Sequence, residues 1–413
     1  MTEVRQSGAP SSTDRRLPLV VLLGALSAVG ALTIDMYLPA MPGMAGDLQT
    51  SAATVQLTLV VFVVGLAAGQ VVVGPLSDAW GRRRPLLIGL AVYVVGSVGS
   101  ALAPTAASLM GARVLQSLGA AAATVLARAI VRDLFAGPAM TRTFSLLMLV
   151  NGVAPVVAPL IGSQMLTVGS WRLVFAVLAG IGVLLLMAVA VALPEPLPPE
   201  RRAPANLRAQ LRTFTGLATD QEYMRYVLAA GLMFAAVFAY ISGSSFALQE
   251  VYGLDPQQFG LVFGLNGLGI VLLGGLNAAL AHRASERAVL AGGLSVAALG
   301  SLGVLLTTLL ELPLLVLLIC LFATVSMLGI VLANATSLAL SDHSGAAGVA
   351  SSLLGLLQFL LGGIAAACMG LAGSGSAIPM GATMAICSLA ALAAFVLLRE
   401  RTPVRPAPGL VAA

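Results

Sequence analysis

PEPLPPERRAPANLRAQLRTFTGLATDQEYMR, residues 194–225, is the longest polar interruption in the chain. Its prolines forbid one continuous helix over residues 194–204, whereas residues 206–214 read as a short surface helix. On both sides the sequence is a succession of apolar runs about 20 residues long, six before the interruption and six after it. That length crosses a bilayer as a helix, while a barrel strand needs only about 10 residues. The 413 residues are 59% hydrophobic and 9% charged, against roughly 25% charged in a soluble domain. The expected fold is an all-α membrane protein with twelve transmembrane helices in two six-helix halves. Its divisions are a tail over 1–16, a first half over 17–193, a linker over 194–225, a second half over 226–398 and a tail over 399–413. Two such halves joined by a linker are the architecture of a transporter that rocks around a central site.

The residues that are absent narrow the chemistry. The chain has no Lys, so all 21 basic residues are Arg. A phosphate-gripping loop of the G-x-x-x-x-G-K-[ST] type and a Schiff-base lysine are both excluded. His282 and His343 are the only histidines, and Cys320, Cys368 and Cys387 form no C-x-x-C pair. No metal cluster, no cofactor and no enzyme activity are expected, and a nucleotide-driven pump lacks its site. The remaining energy source is a proton gradient.

Arginine placement gives the orientation. With the N-terminus inside, nineteen arginines fall in the tails, the linker and the loops on that side, counting Arg128, Arg132 and Arg142 in the loop after the fourth span. Only Arg172 falls outside, and Arg113 lies within a span. Basic residues stay on the cytoplasmic side of short loops, so both termini and the linker are expected there. The net charge of +5 is then a topology signal on an anionic leaflet and no nucleic-acid footprint.

Polar side chains inside spans face a cavity or a partner helix, because lipid cannot solvate them. The first span has Asp35, the fourth Arg113 and Gln116, and the fifth Asn151. The seventh has Tyr240, the eighth Asn266 and the eleventh Gln358. Spans 3, 6, 9 and 12 carry no charge and no amide. That periodicity puts Gln116, Asn151, Tyr240, Asn266 and Gln358 on a central path, although any one amide also serves as helix–helix glue. Asp35 and Arg113 are the charges well inside the bilayer, at comparable depth by their position along oppositely running spans. The expected pair is a static brace or a proton-operated switch in which Asp35 titrates, since Arg cannot.

Several motifs resemble the major facilitator superfamily, and within it the Bcr/CflA group of bicyclomycin- and chloramphenicol-resistance drug:proton antiporters. The likeness runs over residues 17–398. TIDMYLPAMP (33–42) is similar to that group's signature at the end of the first span. GPLSDAWGRRRPL (74–86) resembles the superfamily's loop motif, with Gly74, Asp78, Gly81, Arg82 and Arg83 at the pattern positions and Ala79 where a basic residue is usual. RVLQSLG (113–119) resembles the fourth-span motif linked to proton coupling. APVVAPLIG (154–162) resembles the fifth-span antiporter motif, in a double-proline form with Pro155, Pro159 and Gly162. Ser27 stands where some drug antiporters of the superfamily carry a second acid. The resemblance implies a multidrug exporter in a bacterial plasma membrane, exchanging drug-like compounds for protons, with Asp35 and Arg113 in the coupling. It works as a monomer in the bilayer and takes no nucleic acid. A proton-coupled uptake symporter of the same fold is the alternative.

Overall fold

The computed structural model describes residues 16–202, 207–280, 283–341, 347–372 and 376–398. Most of both tails, His282 and His343 lie outside them. Twelve helices are long and apolar enough to cross a membrane. In the first half these are α1 (Arg16–Asp35), α2 (Ala52–Trp80), α3 (Arg83–Ala101), α4 (Ala106–Leu134), α5 (Gly137–Val168) and α6 (Trp171–Ala192). The second half holds α7 (Gln221–Phe246), α8 (Pro256–Leu280), α9 (Glu286–Leu309), α10 (Leu314–Ser341), α11 (Ala347–Ala372) and α12 (Ile378–Leu397). After α1 come a 3-10 turn, Leu38–Ala40, and a short helix, Met41–Asp47. A surface helix, Leu207–Ala218, follows the proline-rich stretch and buries Phe214 and Leu217 against the second half.

Polar caps start several spans where the sequence leaves the apolar runs. Ser51 accepts from the Thr54 amide at the start of α2, and Thr105 and Ser108 form a capping box at the start of α4. Asp220 accepts from the Glu222 and Tyr223 amides. Each satisfies donors that a helix N-terminus leaves open. The Asp220 cap starts α7 at Gln221, so the last five residues of the 194–225 linker are helical. α4 runs on to Leu134. Arg128 and Arg132, expected in a loop, therefore sit on the helix.

Within the first half α4 packs on α1, α2 and α3, and α1 packs on α5; in the second, α7 packs on α11 and α12 and α10 on α8 and α9. The halves meet along two seams, α2 with α11 and α5 with α8. Small residues make these close: a Cβ on Gly264 of α8 would lie 3.1 Å from the Val156 carbonyl of α5, and one on Gly363 of α11 would lie 3.3 Å from Val64 of α2. Without a hydrophobic drive between helices in lipid, such backbone approach is what holds spans together. Among the described residues, four hydrogen bonds across the interface lie at the end opposite the arginine-rich one. Gln56 Nε2 donates to the Ser242 carbonyl, Ser245 Oγ to that of Leu38, Gln249 Nε2 to that of Pro39 and Gln257 Nε2 to that of Ser163. Toward the arginine-rich end the seams include Gln70 beside Gly355 and Gly152 beside Val271.

Candidate functional site

Asp35 is the last residue of α1, close to the Leu38 and Pro39 carbonyls that bond the other half. The Met36 amide still bonds the Leu32 carbonyl, so the chain remains helical there. Thr33 and Tyr37, four residues apart, share one face, and Asp35, two residues from each, turns away from it. Arg113 lies on the Thr33–Tyr37 side. It is fully buried, with its guanidinium 4.2 Å from the Phe62 ring, 4.5 Å from Tyr37 and 5.6 Å from Phe175. Its Nη1 donates to Gln116 Oε1 at 2.7 Å and to the Thr33 carbonyl at 3.4 Å, and its Nε to the Thr58 carbonyl at 3.5 Å. The expected Asp35–Arg113 pair is therefore not formed. Equal depth along two helices says nothing about which way each side chain points, and here the rotation about α1 separates them. Cation–π contacts in a desolvated cage, about 2 kcal/mol apiece at best, and carbonyl dipoles stand in for the missing carboxylate.

Asp35 is 4% exposed and makes no ion pair or hydrogen bond among the described residues. In the other half, Tyr240 lies on α7. Tyr240 accepts from Asn266 Nδ2 of α8 at 2.8 Å and stacks on Phe263 at 5.2 Å. Gly162 of the fifth-span motif packs against this turn: a Cβ there would collide with the Met36 carbonyl. α5 runs as one helix through Pro155 and Pro159. The glycines of α8 lie against that proline-bearing stretch, with Gly267 close to Val156 and Pro155 and Gly260 close to the Pro159 carbonyl.

The five residues expected on the central path separate. Gln116 is a correction: it is fully buried, takes Arg113 on Oε1 and donates to Ser97 Oγ of α3 at 2.8 Å. It faces the first half's own core. Asn151 is half-buried and braces α5 to α1 through Ser27 Oγ at 2.9 Å. Tyr240 and Asn266 are buried against each other behind the closed seam. Gln358 is half-buried on α11, one turn from Gly355 and its neighbour Gln70.

At the arginine-rich end, Gly81 turns the chain between α2 and α3 at φ +89°, a region that favours glycine. Arg82 then reaches back, bonding Asp78 at 2.6 Å, Ser77 at 2.7 Å and Asp133 of α4 at 2.7 Å. Burial by itself lowers the Arg82 pKa, but the hydrogen bonds and charges of Asp133 and Asp78 outweigh it and raise the value, which keeps the guanidinium charged. Glu195 closes the site. Its Oε1 accepts from the Arg82 amide at 2.7 Å and its Oε2 from the Arg83 amide at 3.2 Å, where α3 begins. A carboxylate at a helix N-terminus satisfies open donors and opposes the helix dipole. Arg83 donates to the Ala190 carbonyl of α6 at 2.6 Å. Gly74 is half-buried on α2, with room for a Cβ. Asp133, Ser77 and Glu195 are not read as part of this site from the sequence. Their one signal is an acid in each of two stretches, IVRDL and LPEPL, next to the arginine-rich loops.

Among the described residues no group of His, Cys, Asp and Glu can hold a metal ion.

Residues 23–367 match the family described as the Major Facilitator Superfamily. The chain is 41% identical over 389 residues to an uncharacterized MFS-type transporter, YdgK, of Bacillus subtilis, covering 94% of this chain and 96% of that one. It is 30% identical over 382 residues to a bicyclomycin resistance protein homolog of Haemophilus influenzae, covering 92% and 96%. The fold superposes on a D-xylose-proton symporter with TM-score 0.73 at 15% identity, covering 93% of this chain and 98% of that one.

Proposed function

Because the chain belongs to the major facilitator superfamily, we propose that it is a secondary exporter of small drug-like compounds, driven by protons moving the other way. The observation that carries this reading is Asp35: a buried carboxyl with no ion-pair or hydrogen-bond partner among the described residues, just before the Leu38 and Pro39 carbonyls that accept from Ser245 and Gln249 of the opposite half. A carboxyl changes charge when it binds a proton, so it biases a two-state seam in a way that a permanently charged Arg113 does not. Arg113 in its cage keeps the turn that carries Asp35 in place. Similarity to a bicyclomycin resistance protein homolog supports drug-like substrates.

In this reading the arginine-rich face and both termini are cytoplasmic, in line with the basic residues of short loops. Substrate enters between the halves from that side. Release of the Asp35 proton to the cytoplasm accompanies it, and reprotonation from outside returns the empty carrier. The protein works as a monomer in the bacterial plasma membrane and needs no cofactor beyond the proton gradient. In this reading Gln70, Asn151 and Gln358, half-buried amides on the seam helices α2, α5 and α11, contact the substrate.

Growth of an expressing strain against an antibiotic panel that includes bicyclomycin identifies a substrate. Proton release on adding that compound to purified protein then compares wild type with Asp35→Asn. Loss of release in the variant is expected; equal release in both would show that the proton travels elsewhere.

A further inference from the structure

Arg172 is the one arginine that falls on the side opposite the nineteen of the tails, linker and loops. It is the second residue of α6, after Trp171, and both reach Asp47, the last residue of the short helix that follows α1. Trp171 Nε1 donates to Asp47 Oδ2 at 3.0 Å, and Arg172 Nη1 lies 3.7 Å from the same oxygen. The Arg172 guanidinium covers the Trp171 ring at 4.2 Å and donates through Nη2 to the Ala103 carbonyl, just past the end of α3, at 3.2 Å. Half of the Asp47 side chain is exposed, whereas Trp171 is buried. An ion pair as exposed as Asp47–Arg172 contributes little by itself. What Asp47 holds is the indole, through a charge-assisted hydrogen bond.

From the indole the contacts lead inward. Trp171 and Phe175, four residues apart on one face of α6, meet edge to face at 5.9 Å. Phe175 lies 5.7 Å from the Tyr37 ring and 5.6 Å from the Arg113 guanidinium, and both rings are fully buried. The contacts thus run unbroken from Asp47 at the surface to Tyr37, two residues past Asp35. The chain between Tyr37 and Asp47 closes the circuit and touches both halves: the turn Leu38–Ala40 packs on α5, α7 and α8, and the short helix on α2 and α7. The second half holds this segment by neutral hydrogen bonds from Ser245 and Gln249. The first half holds it by bonds to the Asp47 carboxylate, and charge-assisted bonds are roughly twice as strong as neutral ones. Building on the exporter reading, we infer that Asp47, Trp171 and Arg172 are positioning residues for proton coupling. They brace the turn that carries Asp35 against the Arg113 cage, so that it stays with the first half when the seam parts. Close packing of the three rings transmits the position of Asp47 to the turn.

The test reads the position of the turn in purified full-length protein whose Cys320, Cys368 and Cys387 are replaced by Ser. Asp35→Cys puts a thiol on the turn, and Ser301→Cys, fully buried in the second half, is the reference. Both should react slowly with a small methanethiosulfonate. Adding Asp47→Ala should speed labelling at position 35 about tenfold, the size of effect that one contact carries between distant groups, and leave position 301 unchanged. Trp171→Ala should act in the same way. Asp47→Asn keeps an acceptor for the indole N–H and should restore most of the slow rate. Equal labelling at position 35 with and without Asp47 overturns the inference, and so does faster labelling at both positions, which marks a general loosening of the fold. With Asp35 intact, Asp47→Ala should lower gradient-driven accumulation of the compound that the antibiotic panel identifies and spare its downhill exchange; equal loss of both would also overturn the inference. Labelling involves no transport, so a failed exporter reading would appear separately, as a braced turn without proton-driven movement in proteoliposomes.

Discussion

The two charged groups nearest the closed end of the molecule, Asp35 and Arg113, sit at similar depth in opposite settings. Arg113 is enclosed on all sides by one half, its charge divided among three rings, two backbone carbonyls and Gln116. Asp35 has no such shell and lies three residues before Leu38, whose carbonyl accepts from Ser245 of the opposite half. The group that cannot titrate is built into a rigid unit, and the group that can is left where the two units meet. A switch placed inside one half would perturb that half's packing; placed at the seam, it changes only how the halves fit.

The sharpest way to break this contrast is Asp35→Asn, which keeps size and hydrogen-bonding capacity and removes titration. Gradient-driven transport in proteoliposomes should fall to background, while downhill exchange of labelled substrate and the thermal stability of the purified protein stay near wild type. A variant that still concentrates substrate would end the distinction. Arg113→Ala is the counterpart within the rigid unit. It empties a fully buried cage and strands the Gln116 carbonyl, so a loss of about 2–4 kcal/mol in stability is expected. Heating followed by size-exclusion chromatography reads this as a lower aggregation temperature. Arg113→Lys should fall between, since an ammonium keeps the charge and loses the planar contacts.

Gly162→Ala tests the link between the fifth-span motif and the Asp35 turn. The added methyl meets the Met36 carbonyl, and overpacking of this kind costs about 1–3 kcal/mol. Transport should suffer more than stability if the turn shifts; equal loss of both would make Gly162 a packing residue only. The smallest effect belongs to the arginine-rich end. Glu195→Gln removes the charge that caps α3 and should cost about 1 kcal/mol, with higher protease sensitivity of the loop carrying Arg82. An unchanged digestion pattern would mean that Asp78 and Asp133 hold Arg82 without it.

Much of the architecture was legible in the residues. Apolar length and charge density are local and additive, so span number and the clustering of arginine on one side follow from sequence alone. The absence of Lys and the scarcity of His likewise restrict the chemistry before any folding is considered. What tertiary structure decided was direction about each helix axis and partnership between distant segments. Depth placed Asp35 beside Arg113, but rotation by two residues turns it away from the Thr33–Tyr37 face that Arg113 meets. Gln116 counted as a cavity amide until its face proved to be the one packed on Ser97 of α3. Asp133 and Glu195 join Arg82 across 51 and 113 residues of chain, and Arg128 and Arg132 sit on a helix instead of in a loop because α4 continues past them. A helix repeats every 3.6 residues, so a span's polar face is fixed only once its neighbours cover the rest. That covering depends on how twelve helices pack together, which no single stretch of sequence contains.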